Sequence, residues 1–306
     1  MPMKPPFIIT VGGGKGGIGK STIITNIAAS LSQKGCSVGL IDADLGGANL
    51  HICMGIRRPS VHLVDFISGA AKTLSETALP TQIPNTWLIS GSNECFDSAN
   101  LKFSQKQKLI AHINKLEAQY ILIDLGAGSD NQVVDFFAAF PFSIVISDSL
   151  PTSIENAYGF LKNGIIRGLL RLYPADREVG DLVRRFSVPK QEGCFATVDE
   201  MMGAIARSFP AQARSMKEWL YSRKLFLVLN MVKDREDIVT GKRFCELVKK
   251  YLGVSLVYIG YVAYSPEVRA SIRAMKPLVL ADTPSPAREC FSAIADNLMT
   301  LTKGSS

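Results

Sequence analysis

The chain has 306 residues, 47% of them hydrophobic and 20% charged, enough to bury a sizeable core. No apolar run approaches the ~18–20 residues that cross a bilayer, which excludes a helical membrane protein. Lysine and arginine exceed aspartate and glutamate by 34 − 27 = 7, a mild basic balance that permits contact with nucleic acid or anionic lipid without demanding it.

The amino terminus, MPMKPPFIITV, carries one short apolar run that leads straight into glycines. It reads as a first strand, Phe7–Val11, rather than as a secretory signal. The loop VGGGKGGIGKST (11–22) and a helical pattern over 21–33 come next. Further β-branched, apolar runs lie at Ser37–Ile41, Thr86–Ile89, Tyr120–Ile123, Ser143–Ile146, Leu225–Leu229 and Ser255–Ile259. Helical patterns separate them near 104–117, 131–139, 152–172, 236–251 and 286–301. Continuous apolar strands alternating with helices predict a parallel sheet covered on both faces. The expected fold is therefore α/β, a doubly wound and mostly parallel sheet in a single domain, 1–306.

One stretch breaks the alternation. Residues 173–223 stand where an α/β connection usually takes about 2–6 residues. They contain RLYPADREVGDLVRRF and VDEMMGAIARSFPAQARSMKEWLYSRK, both partly amphipathic, and read as a helical insertion at one edge of the domain. Either it pads the sheet or it serves as a lid or partner-binding element. The six cysteines (36, 53, 95, 194, 245, 290) form no C-x-x-C pair and have no histidine at zinc spacing, so they read as reduced thiols of a cytoplasmic protein.

GKGGIGKS, Gly14 to Ser21, satisfies G-x-x-x-x-G-K-[ST] between a predicted strand and a predicted helix. Gly14, Gly16, Gly17, Ile18 and Gly19 let successive backbone N–H groups curl around phosphates, and the helix beginning near Lys20 adds its positive end. Lys20 would neutralise the β- and γ-phosphates of ATP or ADP; the Ser21 hydroxyl would ligate Mg²⁺, with Thr22 beside it. Lys15 is a second cation in the same loop. It helps most if it points outward, to a nucleotide held by a facing copy of the chain. YILIDLGAG (120–128) puts Asp124 at a strand end, placed to hold Mg²⁺ through water, with Gly126 and Gly128 free to approach the γ-phosphate. LVLNMV puts Asn230 at another strand end, where its amide either pairs with the adenine edge or caps a turn.

The spacing K-G-G-x-G-K-S resembles the deviant Walker A motif of the MinD/ParA family, P-loop NTPases of the SIMIBI type. The resemblance implies that Lys15 crosses the interface of an ATP-sandwiched dimer. GLIDADLGGANLHICMG resembles that family's first switch, which implies Asp42 as support for the metal and Asp44 as the residue that positions the attacking water. PTSIENAYGFLK (151–162) and YIGYVAYSPEVRASIRAMKPLVLADTPSPA (258–287) resemble the FlhG/FleN branch, MinD-like regulators of flagellar number. The likeness covers about 1–165 and 223–300. It implies a slow, partner-stimulated ATP hydrolase that switches between ATP dimer and ADP monomer and regulates a protein partner, reaching a pole or periphery through that partner.

There are departures. FlhG-type proteins carry an amino-terminal D-Q-A-x-x-L-R extension that stimulates the GTPase FlhF, whereas only Met1–Pro6 precede the first strand here, so that activity is not expected. Leu150, Asn156 and Ala263 stand where relatives often have Glu, Asp and Pro. The carboxy-terminal helix has Phe291, Ile294, Leu298 and Leu301 at helical spacing but hardly any positive charge, so it is expected to pack on its own sheet rather than anchor to a membrane.

Three other readings weigh less. A ParA-type partitioning ATPase would use the basic clusters at 214–224, 242–250 and 267–276 to bind DNA non-specifically with ATP. An iron–sulfur carrier would need paired cysteines that the sequence lacks. A P-loop metabolic ligase would need a substrate site that no motif here supplies.

Overall fold

The computed structural model describes residues 5–91, 101–187 and 193–303. Its strands are β1 (Phe7–Gly12), β2 (Val38–Asp42), β3 (Ala78–Pro80), β4 (Thr86–Ile89), β5 (Tyr120–Asp124), β6 (Phe142–Ser147), β7 (Lys224–Val232) and β8 (Leu256–Ala263). They form one sheet in the order β3-β4-β2-β5-β1-β6-β7-β8, parallel throughout except for β3. Every residue of β2 and β5 is buried, which is why these strands read as unbroken apolar runs. Alternate side chains serve two cores. Ile121 and Ile123 face one of them, and Leu122 faces the other.

The helices of the first half are α1 (Lys20–Gln33), α2 (Leu50–Cys53), α3 (Leu63–Ser68), α4 (Phe103–Ile113), α5 (Asn131–Ala139) and α6 (Pro151–Leu172). Those of the second half are α7 (Arg177–Arg185), α8 (Val198–Ser208), α9 (Pro210–Ser222), α10 (Arg235–Leu252), α11 (Pro266–Arg273) and α12 (Pro286–Lys303). Helices α1 and α12 cover one face of the sheet through Ile24, Ile27, Phe291, Ile294 and Leu298. The carboxy-terminal helix thus spends its apolar stripe on α1 and β8, as its low charge led us to expect. On the opposite face lie α5, α6 and α10.

The long connection before β7 is helical, and its helices form a further layer against α6 and α10. Val179, Val183, Phe186, Val198, Met201, Met202, Ile205, Met216 and Leu220 are buried in the same core as Phe160, Leu169, Phe244 and Val248. Their amphipathic pattern is accounted for by this packing. Burial of each such side chain contributes about 1.5–3 kcal/mol, and together they rival the whole stability of about 5–15 kcal/mol typical of a domain. Replacing residues 175–220 by a short Gly/Ser linker is therefore expected to abolish cooperative folding. A sharp thermal transition near the wild-type Tm would show that the layer is dispensable.

Short elements escaped the sequence. Strand β3 has three residues and pairs antiparallel with β4, Ala78 opposite Ile89; that is too short for periodicity to register. Helix α11 starts with proline at its first position, but its eight residues, PEVRASIR, are too few and too polar for an apolar periodicity to register. Helix α4 ends at Ile113, short of the expected 117, because the N–H groups of Lys115 and Leu116 turn to the carbonyls of His112 and Ile113 and close 3₁₀-type turns. Cys36, Cys53, Cys194, Cys245 and Cys290 are free thiols, and Cys95 lies outside the described residues.

Candidate nucleotide site

The crevice at the carboxyl ends of β1, β2 and β5 gathers every predicted phosphate and metal residue. It lies where the connection from β1 to β2 runs toward one edge of the sheet and the connection from β5 to β6 crosses β1 toward the other, the usual ligand position in such folds. The loop from β1 to α1 holds Gly17 and Gly19 at φ of +79° and +86°, which side chains other than glycine rarely adopt. Gly14 is fixed by space instead: a Cβ there would lie 1.9 Å from the Asn156 carbonyl oxygen of α6. Ile18 is buried and pins the loop from beneath. Helix α1 begins with no side chain capping its amino end, so its first N–H groups remain available to an anion. Lys20 and Ser21 are half-buried in that first turn, with Thr22 next to them, whereas Lys15 and Gly16 are exposed.

Two carboxylates stand side by side at the ends of β2 and β5, where Asp42 is the register partner of Asp124. Asp124 accepts a hydrogen bond from the Ser21 hydroxyl at 2.6 Å through Oδ2, while its buried Oδ1 has no partner. Asp42 accepts from the backbone N–H of Asp44 at 3.1 Å and of Leu50 at 3.0 Å. It therefore also shapes the loop that carries Asp44. Burial raises both acids; the neighbouring Asp124 adds to the effect on Asp42, and the Ser21 hydroxyl and Lys20 oppose it at Asp124. Without a cation, this pair costs stability as pH rises out of the ordinary carboxylate range, because the unfolded chain ionises first.

An orphaned carboxylate oxygen, a serine hydroxyl and a second carboxylate behind them fit Mg²⁺, which takes few protein ligands and completes its shell with water and phosphate. Among the described residues no cluster of three or more His, Cys, Asp or Glu could hold a metal by itself. Asp44 is half-buried, with its carboxylate 3.3 Å from where a Cβ of Gly47 would sit and 3.4 Å from that of Gly126. It thus stands between the loop after β2 and the loop after β5.

Asn230 is where β7 passes the phosphate loop, and its side-chain N–H donates to the Ile18 carbonyl at 2.7 Å. Its amide braces the loop, a contact 212 residues apart that no local signal could announce. Beside it opens a cavity of about 310 Å³ lined by Asn230, Met231, Tyr264, Pro266, Val268 and Ile272, large enough for a purine. Two further neighbours went unread in the sequence. Asn156 backs the loop, and Cys53 lines a small crevice with Thr22, its thiol pushed up to about 11 by burial and by Asp124 and Asp42.

Residues 6–154 match a family model described as ParA, NUBPL iron-transfer P-loop NTPase. Antiactivator FleN of Pseudomonas aeruginosa is 27% identical over 297 residues, which cover 97% of this chain and 87% of FleN. Flagellum site-determining protein YlxH of Helicobacter pylori is 30% identical over 165 residues, 50% of this chain and 52% of YlxH, so that match spans about half of the relative. Among solved structures, the septum site-determining protein MinD of Pyrococcus horikoshii, complexed with Mg-ADP, shares the fold with a TM-score of 0.64 at 19% identity over 98% of each chain. With the phosphate loop and its carboxylates assembled as described, residues 6–154 are similar to ParA-type P-loop NTPases, and nearly the whole chain is similar to FleN.

Proposed function

We propose that this Mg-dependent ATPase works as a nucleotide-switched dimer that positions or regulates a protein partner, as a spatial regulator of the FleN, YlxH and MinD kind. The observation that carries the reading is the Asp44 carboxylate between the two loops that flank the phosphate site, with Lys15 exposed at its mouth. The backbone N–H groups of 14–21 and the Lys20 ammonium would hold the β- and γ-phosphates. Adenine would enter the cavity beside Asn230 and Tyr264. Ser21 and Asp124, backed by Asp42, would hold Mg²⁺, which when bound supplies positive charge against the phosphates.

Hydrolysis then needs one water placed in line with the γ-phosphorus. Asp44 would accept a hydrogen bond from that water and orient its oxygen for attack. The new P–O bond forms as the bond to the β–γ bridging oxygen breaks, giving ADP and inorganic phosphate. Because Asp44 touches both loops, loss of the γ-phosphate would release both, and with them any surface they present to a second copy or a partner.

Lys15 tests the dimer. Lys15→Ala is expected to leave ADP affinity of the monomer intact while abolishing ATP-dependent dimerisation. Hydrolysis should fall by on the order of 10³, the low end for a cation supplied in trans. Light scattering with Mg-ATP and a phosphate-release assay read both effects. A variant that dimerises and hydrolyses as the wild type does would remove the trans role.

DNA binding is the weaker alternative. The basic residues that would serve it, Arg214, Lys217, Lys242, Arg243, Lys249, Lys250, Arg269 and Arg273, are spread over α9, α10 and α11. No described helix is long and apolar enough to cross a membrane. Localisation, in this reading, follows the partner.

A further inference from the structure

Arg223 stands at the junction of α9 and β7, and it is buried. Its guanidinium donates to the carbonyl oxygens of Phe137 at 2.6 Å, of Ala138 at 3.5 Å and of Phe140. These are the last carbonyls of α5, the helix that begins directly after the loop bearing Gly126 and Gly128. Among the described residues Arg223 makes no ion pair, and its Nε is buried without a partner. Burial alone pushes it down to about 10. The stacked faces of Trp219 and Phe137, at 4.9 and 5.3 Å, complete its surroundings.

A buried cation with no counter-ion is a costly way to fill space, and an apolar residue of the same size usually packs there at no loss. What the arginine does that methionine could not is grip a helix end. The negative end of the α5 dipole and its unpaired carbonyls attract a cation, and the contact fixes where that end lies. The opposite end is fixed by Asp130, which caps the N–H groups of Gln132 and Val133 and closes the switch loop. Nine residues, about 13 Å of rigid helix, separate the two. Arg223 in turn moves with α9, which is seated on α6 where Gly168 leaves room for the Trp219 ring: a Cβ there would lie 2.1 Å from the indole.

We propose that Arg223 is a positioning residue for hydrolysis, through which the outer helices α7–α9 set the location of α5 and hence of the switch loop at 125–130. The inference rests on the ATPase reading above. It gives the 173–223 segment a regulatory role that packing alone does not: a partner bound to the outer helices would act on the phosphate site through this contact, and the nucleotide would act on the outer helices by the same route.

Trp219 reports the connection. The chain has two tryptophans, so W87F leaves Trp219 as the sole one. Replacing Mg-ADP by Mg-ATPγS in W87F is expected to shift the Trp219 emission. Adding R223M should abolish that shift while calorimetric affinities for both nucleotides stay within about twofold, as for distant sites. In the same variant kcat should fall about fivefold or more, the low end of coupling between sites, with KM unchanged. R223K, which keeps a cation and donors, should restore part of both signals. If nucleotide binds W87F and Trp219 emission does not respond, the inference fails and the ATPase reading stands. If W87F binds no nucleotide, the ATPase reading fails and takes the inference with it. Retention of both the shift and kcat in R223M makes Arg223 a packing residue and overturns the proposal. Should R223M not fold by circular dichroism, the W87F titration decides.

Discussion

Asp44→Ala is expected to slow ATP hydrolysis by about 10²–10⁴, the range a positioned acid–base group contributes, while leaving Mg-ADP affinity close to the wild type. The selectivity follows from geometry. Phosphate contacts come from 14–21, and the metal position is built from Ser21, Asp124 and Asp42, none of which uses the Asp44 side chain. Asp44 donates its backbone N–H to Asp42, a bond that alanine preserves. The variant should therefore bind Mg-ATP, fail to turn it over and accumulate as a stable dimer that light scattering detects. Asp42→Ala should behave differently, because it deletes the acceptor for both Asp44 and Leu50 and loosens the loop itself. An Asp44→Ala protein that hydrolyses normally would remove the water-positioning role. One that stays monomeric with ATP bound would remove the sandwich dimer.

What could be read from the sequence was what is local. The phosphate loop is recognisable because eight consecutive residues carry its chemistry, and β5 because both its faces are covered and the residues leading up to Asp124 had to be largely apolar. The carboxylates were legible for the same reason, each lying at the end of such a strand. Contacts between distant segments were not legible. The pattern NQVVDFFAA announces a buried helix around Asp135 but says nothing of Lys106, Arg167 and Arg171, which arrive from α4 and α6. The strand-end position of Asn230 points to an adenine contact or a turn cap, and says nothing of the bond its amide donates to the phosphate loop. Arg223 looked like one more charge in SRKLF, and only the fold places α5 above it. The helices at 173–223 could be read as helices. Their burial against α6 and α10 could not.

The largest loss of stability is expected at Asp135. Its carboxylate is fully buried and receives Lys106 at 2.5 Å and Arg167 at 2.6 Å, with Arg171 at 3.7 Å also donating to its backbone carbonyl at 3.0 Å. Lys106 is itself buried, so Asp135→Ala leaves a cation out of water with nothing opposite it. Breaking a buried pair in this way costs about 3–5 kcal/mol, a large share of the roughly 5–15 kcal/mol available to a domain. Burial alone would raise the acid, but the hydrogen bonds from Arg167 and Lys106 and the charges of Arg167 and Arg171 outweigh it and hold Asp135 below its ordinary value. The stability it contributes is therefore present above about pH 4, the unfolded value, and is lost as pH falls through the lower folded value. Asp42 and Asp124 are raised instead, so they impose the opposite trend over higher pH, and the raw curve mixes both. Subtracting the urea-unfolding curve of Asp135→Asn from that of the wild type cancels the shared part and isolates Asp135. The difference should be large at neutral pH and shrink as pH drops below about 4. A second cycle separates the partners: Asp135→Ala in a Lys106→Met background should cost less than in the wild type, because the stranded cation is gone. A loss below about 1 kcal/mol in the single variant, or equal losses in both backgrounds, would mean that solvent already screens the cluster and that α5 is held by packing and Arg223 instead.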